Sequence, residues 1–186
     1  MNRIHKTTDV VVVGSGPGGA TVARQMARAG KRVILLEKGR DHKLVGNHLT
    51  ALVMADKLGL SFTEEGMNIV RAFTTGGSTV MYCGSAADPP DWLRTKYGID
   101  LRAYAEETKR ELGIAPLPDD VVGTGSHRLL EAGNELGYDF EKMPKFIDAS
   151  KCRMRCGGTC MLGCPHGAKW TARSYVQDML DAGGEL

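Results

Sequence analysis

The chain has 186 residues, 42% of them hydrophobic and 25% charged, the balance of an ordinary globular protein, which excludes disorder, collagen and a long coiled coil. That length suits one main domain and is too short for two of full size. Lys and Arg number 24 against 22 Asp and Glu, a net charge of +2, so no whole-chain field recruits nucleic acid or an anionic membrane.

No window approaches the run of about 18 apolar residues that a membrane span needs, and the first six residues lead into a short apolar run with no signal-peptide cleavage pattern. A cytoplasmic location without a membrane span is the expectation. Five cysteines in such a chain favour thiolate chemistry over a disulfide framework, because the cytosol keeps thiols reduced.

The first organised segment reads as strand, tight turn, helix, strand. Asp9-Val10-Val11-Val12-Val13 is a continuous β-branched run, as in a parallel strand covered on both faces. The spacing predicts a helix over Ala20 to Ala29, stopped by Gly30 where a left-handed residue is needed. Lys31 to Glu37 is the returning parallel strand. The turn between carries Gly14-x-Gly16-x-x-Gly19. Gly14 allows a tight turn, Gly16 lets backbone approach a pyrophosphate, and Gly19 lets the helix pack against the strand. Pro17 suits a first helical turn, and Gly18 completes the loop. The unpaired N–H groups of that turn and the positive helix end favour phosphate. Glu37 ends the second strand at about 20 residues' separation, where a carboxylate accepts from a ribose hydroxyl pair and disfavours a 2′-phosphate. The combination predicts a dinucleotide site, FAD or NAD, since both carry the same adenosine diphosphate half.

A second glycine station, Thr74-Thr75-Gly76-Gly77-Ser78-Thr79, precedes Val80 to Gly84. It reads either as a plain loop or as backbone room for a flat ligand. Asp88-Pro89-Pro90-Asp91-Trp92 is a turn that no helix or central strand continues through. Helices follow at Leu101 to Leu112, capped by Asp100 with Leu101, Tyr104, Ala105, Thr108 and Leu112 along one stripe, at Ser126 to Leu136 before Gly137, and at Thr171 to Ala182.

These residues resemble the glucose-methanol-choline (GMC) flavoprotein oxidoreductases. The likeness is carried by the glycine fingerprint, by Gly76-Gly77-Ser78-Thr79 after a segment containing Arg71, by Trp92 to Leu112 with its Glu-Leu-Gly ending, and by Cys160 to Lys169 with a Cys-Pro-x-Gly-Ala signature. It spans nearly the whole chain but only about the N-terminal third of a family member. The resemblance implies an α/β fold with a Rossmann-like parallel sheet, incomplete here. It implies FAD, with the pyrophosphate at Gly14, Gly16, Pro17, Gly18 and Gly19, the ribose at Glu37 and Lys38, and the isoalloxazine near Gly76, Gly77, Ser78, Thr79 and Met81. Tyr82 stands where many members carry Asn or His. The family's catalytic histidine lies in a C-terminal portion outside this sequence.

Cys152, Cys156, Cys160 and Cys164 recur every four residues. A continuous helix would set them on one stripe drifting by about 40° per step, but Gly157, Gly158, Gly163 and Pro165 argue for a loop. Four thiolates suit an iron–sulfur cluster or tetrahedral zinc, although the spacing is standard for neither; disulfides and free thiols are the other readings. Some dehydrogenases that the chain resembles hold an iron–sulfur cluster in the matching segment. Lys151, Arg153, Arg155, Lys169 and Arg173, with no acid among them from 151 to 173, would stabilise a reduced cluster or form a basic stripe. Cys83 reads as a packed residue. His5, His42, His48, His127 and His166 show no triad or metal spacing, so no catalytic residue is assigned.

Two functions fit. One is the FAD-binding part of a GMC-type alcohol or sugar dehydrogenase that passes electrons through the cluster to an acceptor; the other is a non-catalytic electron-transfer or assembly subunit. The organisation expected is a βαβ unit over 1–40, a flavin-contacting and helical region over 41–150, and a Cys-rich loop with its helix over 151–186. Two strands buried on both faces require parallel neighbours, so a complementary polypeptide, subunit or remainder, is expected to complete the sheet and supply the substrate domain and catalytic histidine.

Overall fold

A computed structural model describes residues 5–153 and 159–186. In chain order its elements are β1 (Val10–Val13), α1 (Pro17–Arg28), β2 (Val33–Leu36), α2 (His48–Met54), α3 (Asp91–Tyr97) and α4 (Arg102–Leu112). β3 (Ala115–Pro116), α5 (Thr124–Glu135), β4 (Pro144–Lys145) and α6 (Arg173–Asp181) follow. Chain contacts divide it into two units, one made of the chain up to Tyr82 with Met161–Cys164 and Thr171–Leu186, the other of Cys83–Cys160 with Pro165–Trp170.

In the first unit β1 and β2 pair in parallel, Val10 with Val33 through Val13 with Leu36, joined by α1 as the crossover that a parallel pair requires. α1 begins at Pro17, a full turn earlier than the sequence pattern suggests, because proline's fixed φ and missing N–H fit the first helical position. It ends in a Schellman motif: Gly30 N–H donates to the Ala27 carbonyl and Lys31 N–H to that of Met26. Gly30 takes φ +76°, the left-handed value that makes this ending. Ala20, Ala23 and Ala27 are buried along one face of α1, small enough for close helix packing. α6 meets that helix with Tyr175, Val176 and Met179, all buried. After α6 the chain returns to the sheet, where Glu185 N–H donates to Val33 and Leu35 N–H donates to Glu185.

The expectation of strands covered on both faces is corrected here. β1 alternates, with Val11 57% and Val13 80% exposed, and Leu36 of β2 is 52% exposed, while Val33 and Leu35 are buried. Successive side chains point to opposite faces, and the helices packed within this unit cover one of them.

A smaller core lies beyond β2, where Met54, Ala72 and Val80 are buried with Leu44 and Met81 against them. Asn47 caps α2, its side-chain oxygen accepting the Thr50 N–H at 2.9 Å. Phe73 N–H donates to Met54 and Asp56 N–H to Arg71, so the chain returns antiparallel to the glycine station.

The second unit holds α3, α4 and α5 and the antiparallel β3–β4 pair, Ala115 with Lys145 and Pro116 with Pro144. Residues 144–148 are the middle layer, with Phe146 N–H donating to Gly84, Asp148 N–H to Ala168 and Trp170 N–H to Phe146. Phe140 lies on α5 at Gly133, where an added Cβ would fall 2.5 Å from the ring. α4 departs from its predicted cap: Leu101 is the N-cap, and Asp100 instead accepts the Arg102 N–H and guanidinium. Tyr104 of the predicted stripe is exposed, while Ala105, Thr108 and Leu112 are half-buried.

α6 is fixed to α1 by charge as well as packing. The Arg24 guanidinium, almost fully buried, lies 2.7 Å from Asp178 and 4.0 Å over the Tyr175 ring, and Arg28 shares the same carboxylate at 2.9 Å. Removing one partner of a buried pair costs far more than the pair contributes, because the remaining charge stays desolvated. Asp178→Ala should therefore lower unfolding free energy by about 2–4 kcal/mol, and Arg24→Met by less, both read from urea midpoints.

Candidate functional site

Each glycine of the first turn occupies a position a side chain would spoil or fill. Gly14 adopts φ +90°, which turns the chain off β1. A Cβ on Gly19 would sit 1.9 Å from the Gly14 carbonyl oxygen, so the turn closes only with glycine there. At Gly16 and Gly18 an added Cβ meets no atom within 4 Å. These two therefore border open space at the start of α1, where first-turn N–H groups lack intrahelical acceptors.

Glu37, at the end of β2, reaches back to that turn. Its Oε2 accepts the Ser15 N–H at 2.8 Å and the Ser15 hydroxyl at 2.6 Å, and its Oε1 accepts the Gly39 N–H at 2.7 Å. Burial works to raise its pKa, but the hydrogen bonds from the Ser15 hydroxyl and the backbone N–H groups of Gly39, Ser15 and Lys38 outweigh it and hold Glu37 below the ordinary glutamate value. Lys38 is exposed and sets its ammonium 4.5 Å over the Phe73 ring. A carboxylate offers about four lone-pair sites, and donors of Ser15, Gly39 and Lys38 take most of them.

The second glycine station is brought against the first. Gly77, at φ +56°, approaches so closely that an added Cβ would lie 2.9 Å from the Gly16 Cα. Gly76, at φ +87°, donates its buried N–H to the Ser15 hydroxyl at 3.0 Å. Gly77–Val80 form a short 3-10 turn. Within it the Thr79 hydroxyl donates to Gly76 at 2.5 Å and accepts the Ala172 N–H at 3.0 Å. Ser78 is exposed, accepts the Ala72 N–H at 3.2 Å, and is followed by the half-buried Met81 and Tyr82. Thus Gly14, Gly16, Pro17, Gly18, Gly19, Glu37, Gly76, Gly77 and Thr79 share one neighbourhood.

Sequence reasoning gave no role to Ser15, which is fully buried, and placed Arg173 beside the cysteines rather than at this station. From the first residue of α6, Arg173 donates to the Thr75 carbonyl at 3.2 Å and the His42 carbonyl at 2.7 Å and pairs with Asp41. A hydroxyl residue inside the fingerprint was the available signal for Ser15. The link of Arg173 to this station had no signal, since its partners lie some hundred or more positions away in the chain.

The cysteines divide between the units, Cys152 and Cys160 in the second and Cys164 in the first, and Cys156 lies outside the described residues. Among the described residues no three His, Cys, Asp or Glu side chains are grouped to hold a metal. Two of the expected cations already have carboxylate partners, Lys151 with Asp148 and Arg173 with Asp41. Lys169 is buried and donates to the Cys160 carbonyl at 2.8 Å. Arg155 lies outside the described residues. Cys83 is exposed rather than packed, because it stands at the edge of its unit where the chain leaves the buried Thr79–Val80 turn.

Residues 8–84 match the family of pyridine nucleotide-disulphide oxidoreductases. The chain is 31% identical over 182 residues to an uncharacterized GMC-type oxidoreductase of Mycobacterium tuberculosis, an alignment covering 87% of this chain and 28% of that protein. The chain is homologous to the N-terminal region of GMC-type oxidoreductases. A long-chain-alcohol oxidase of Arabidopsis thaliana is 29% identical over 87% of this chain and 23% of its own length. A cholesterol oxidase of M. tuberculosis is 26% identical over 96% and 38%. The crystal structure of pyridoxine 4-oxidase from Mesorbium loti shares the fold, with TM-score 0.59 and 17% identity over 91% of this chain and 39% of that one. The chain thus spans between about a quarter and two-fifths of the relatives it matches. Among the described residues no helix is long and apolar enough to cross a membrane.

Because the folded-state pKa of Glu37 lies below its unfolded value, the ionised carboxylate adds stability at neutral pH that disappears as pH falls through the folded value. Urea midpoints followed from about pH 7 to about pH 3 should fall more steeply for the wild type than for Glu37→Gln.

Proposed function

We propose that this chain is the FAD-binding part of an oxidoreductase acting on an alcohol or sugar hydroxyl. The observation that carries the reading is the close stacking of the two glycine stations beside an ionised Glu37, supported by relatives named as oxidases of alcohols and of cholesterol.

The residues suit the cofactor. Gly16 and Gly18 leave open space at a helix N-terminus, the room and polarity that a pyrophosphate needs. Gly14, Pro17 and Gly19 hold that turn in shape. Glu37 stands ready as an acceptor for a ribose hydroxyl, with Lys38 beside it. Gly76, Gly77, Ser78, Thr79 and Met81 present backbone and a thioether to a flat ring. When bound, FAD supplies the hydride acceptor. The chain's own residues bind and orient it, and the proton-accepting histidine belongs to sequence beyond this chain.

The proposal extends to a dehydrogenase in a reducing, cytoplasmic setting, with an iron–sulfur cluster on Cys152, Cys156, Cys160 and Cys164 leading to an electron acceptor. Its support is the four-residue spacing of the cysteines in a glycine-rich stretch of the sequence; the hydride chemistry is independent of it. A complementary polypeptide, as a subunit or as the remainder of a longer protein, would cover the exposed row Val11, Val13 and Leu36 and supply the substrate domain.

Cofactor extracted from the native assembly should be FAD. Gly16→Val should keep the local fold, since its Cβ meets nothing, yet lose flavin affinity by at least about tenfold through blocking the pyrophosphate. Full flavin occupancy in that variant would remove the assignment. Anaerobically purified assembly should carry iron and acid-labile sulfide, and Ser at Cys156, Cys160 or Cys164 should lower both together. Zinc, or no metal, would refute the cluster.

A further inference from the structure

Between the two glycine stations stands a side chain to which the fingerprint assigns no task. Ser15 is fully buried, and its hydroxyl uses donor and acceptor capacity at once, giving its proton to Glu37 Oε2 at 2.6 Å and taking the Gly76 N–H at 3.0 Å. Its own N–H goes to the same Glu37 oxygen at 2.8 Å. The acid at one end of the site and the second glycine station therefore share one hydroxyl.

We infer that Ser15 is a positioning residue that couples the adenosine end of the dinucleotide site to the glycine station at Gly76 and Gly77. This rests on the FAD reading of the same site. The coupling is physical. A ligand hydroxyl hydrogen-bonded to Glu37 orders the carboxylate, which fixes the rotamer of Ser15, which aims its acceptor lone pair at Gly76. The station has little freedom to ignore that signal. Thr79 and Ala172 hold it from the other side, and Gly77 has the Gly16 Cα within the reach of a single added methyl group. Alanine at position 15 would remove the carboxylate's hydroxyl donor and leave the Gly76 N–H buried without an acceptor. Threonine keeps the hydroxyl.

The two ends can be separated by ligand size. ADP reaches only the pyrophosphate and ribose contacts, whereas FAD spans to the second station. In the complete protein that carries this chain, stripped of cofactor, Ser15→Ala should weaken ADP binding about threefold and FAD binding at least about tenfold more than that, with Ser15→Thr close to wild type for both. A purely local role at the ribose would weaken the two ligands equally, and that outcome, or no change, overturns the coupling. A second measurement needs no variant at Ser15. ADP alone should slow amide hydrogen exchange across Thr74–Val80 in the wild type, and this protection should vanish in Glu37→Gln. Exchange in that segment that ignores ADP sinks the inference even if Ser15→Ala fails to fold. Wild-type protein that binds neither ADP nor FAD would instead remove the FAD reading itself.

Discussion

The first unit depends on a backbone approach that side chains would forbid. Gly19 lies under the Gly14 carbonyl, Gly77 lies against Gly16, and a Cβ on Gly39 would come within 2.2 Å of the Phe73 carbonyl carbon. Strand end, helix start and second station are thereby held at main-chain contact distance. Such closeness brings N–H groups within reach of acceptors that would otherwise be screened, and it gives Glu37 and Ser15 several donors in one small volume. Without these contacts the carboxylate would face solvent and the station would be an ordinary loop.

Around this point the longer-range connections act as struts. Arg40 accepts the Thr74 hydroxyl at 2.9 Å through its carbonyl, continuing β2 toward the station. Arg173 draws Thr75 and His42 together at the head of α6. Farther along the same helix Asp178 meets Arg24 of α1. α6 therefore ties α1 to the second station, through guanidinium groups that satisfy carbonyls and carboxylates with several donors each.

The βαβ unit was legible because its signal is local: the Val10–Val13 run, the glycine spacing and Glu37 all fall within one supersecondary unit. Which face of the sheet is covered was not legible, since a continuous apolar run reads alike for strands buried on one face or two, and only packing against α1 decides it. The station at Gly76 was visible as glycine, but its partner Ser15 is 61 positions away, and no local pattern encodes such a distance. The Asp100 cap misled for the opposite reason. A capping residue one position too early has the right chemistry, yet its carboxylate closes on the Arg102 guanidinium and leaves Leu101 to begin the helix.

An acid beside a helix N-terminus poses an electrostatic problem, because a carboxylate near the start of α1 opposes any anion that the positive helix end favours. The arrangement at Glu37 meets it with dipoles rather than cations. Its partners are N–H and O–H donors of Ser15, Gly39 and Lys38, whereas the nearby cationic side chains are engaged elsewhere, Lys38 over Phe73 and Arg173 on Asp41, Thr75 and His42. Hydrogen bonds to a charged acceptor are short and strong at low cost in mobility, so the negative charge is spread into the turn's own backbone. The N–H groups of Gly18 and Gly19 are not among those donors, which leaves the positive end of α1 open beside an ionised carboxylate.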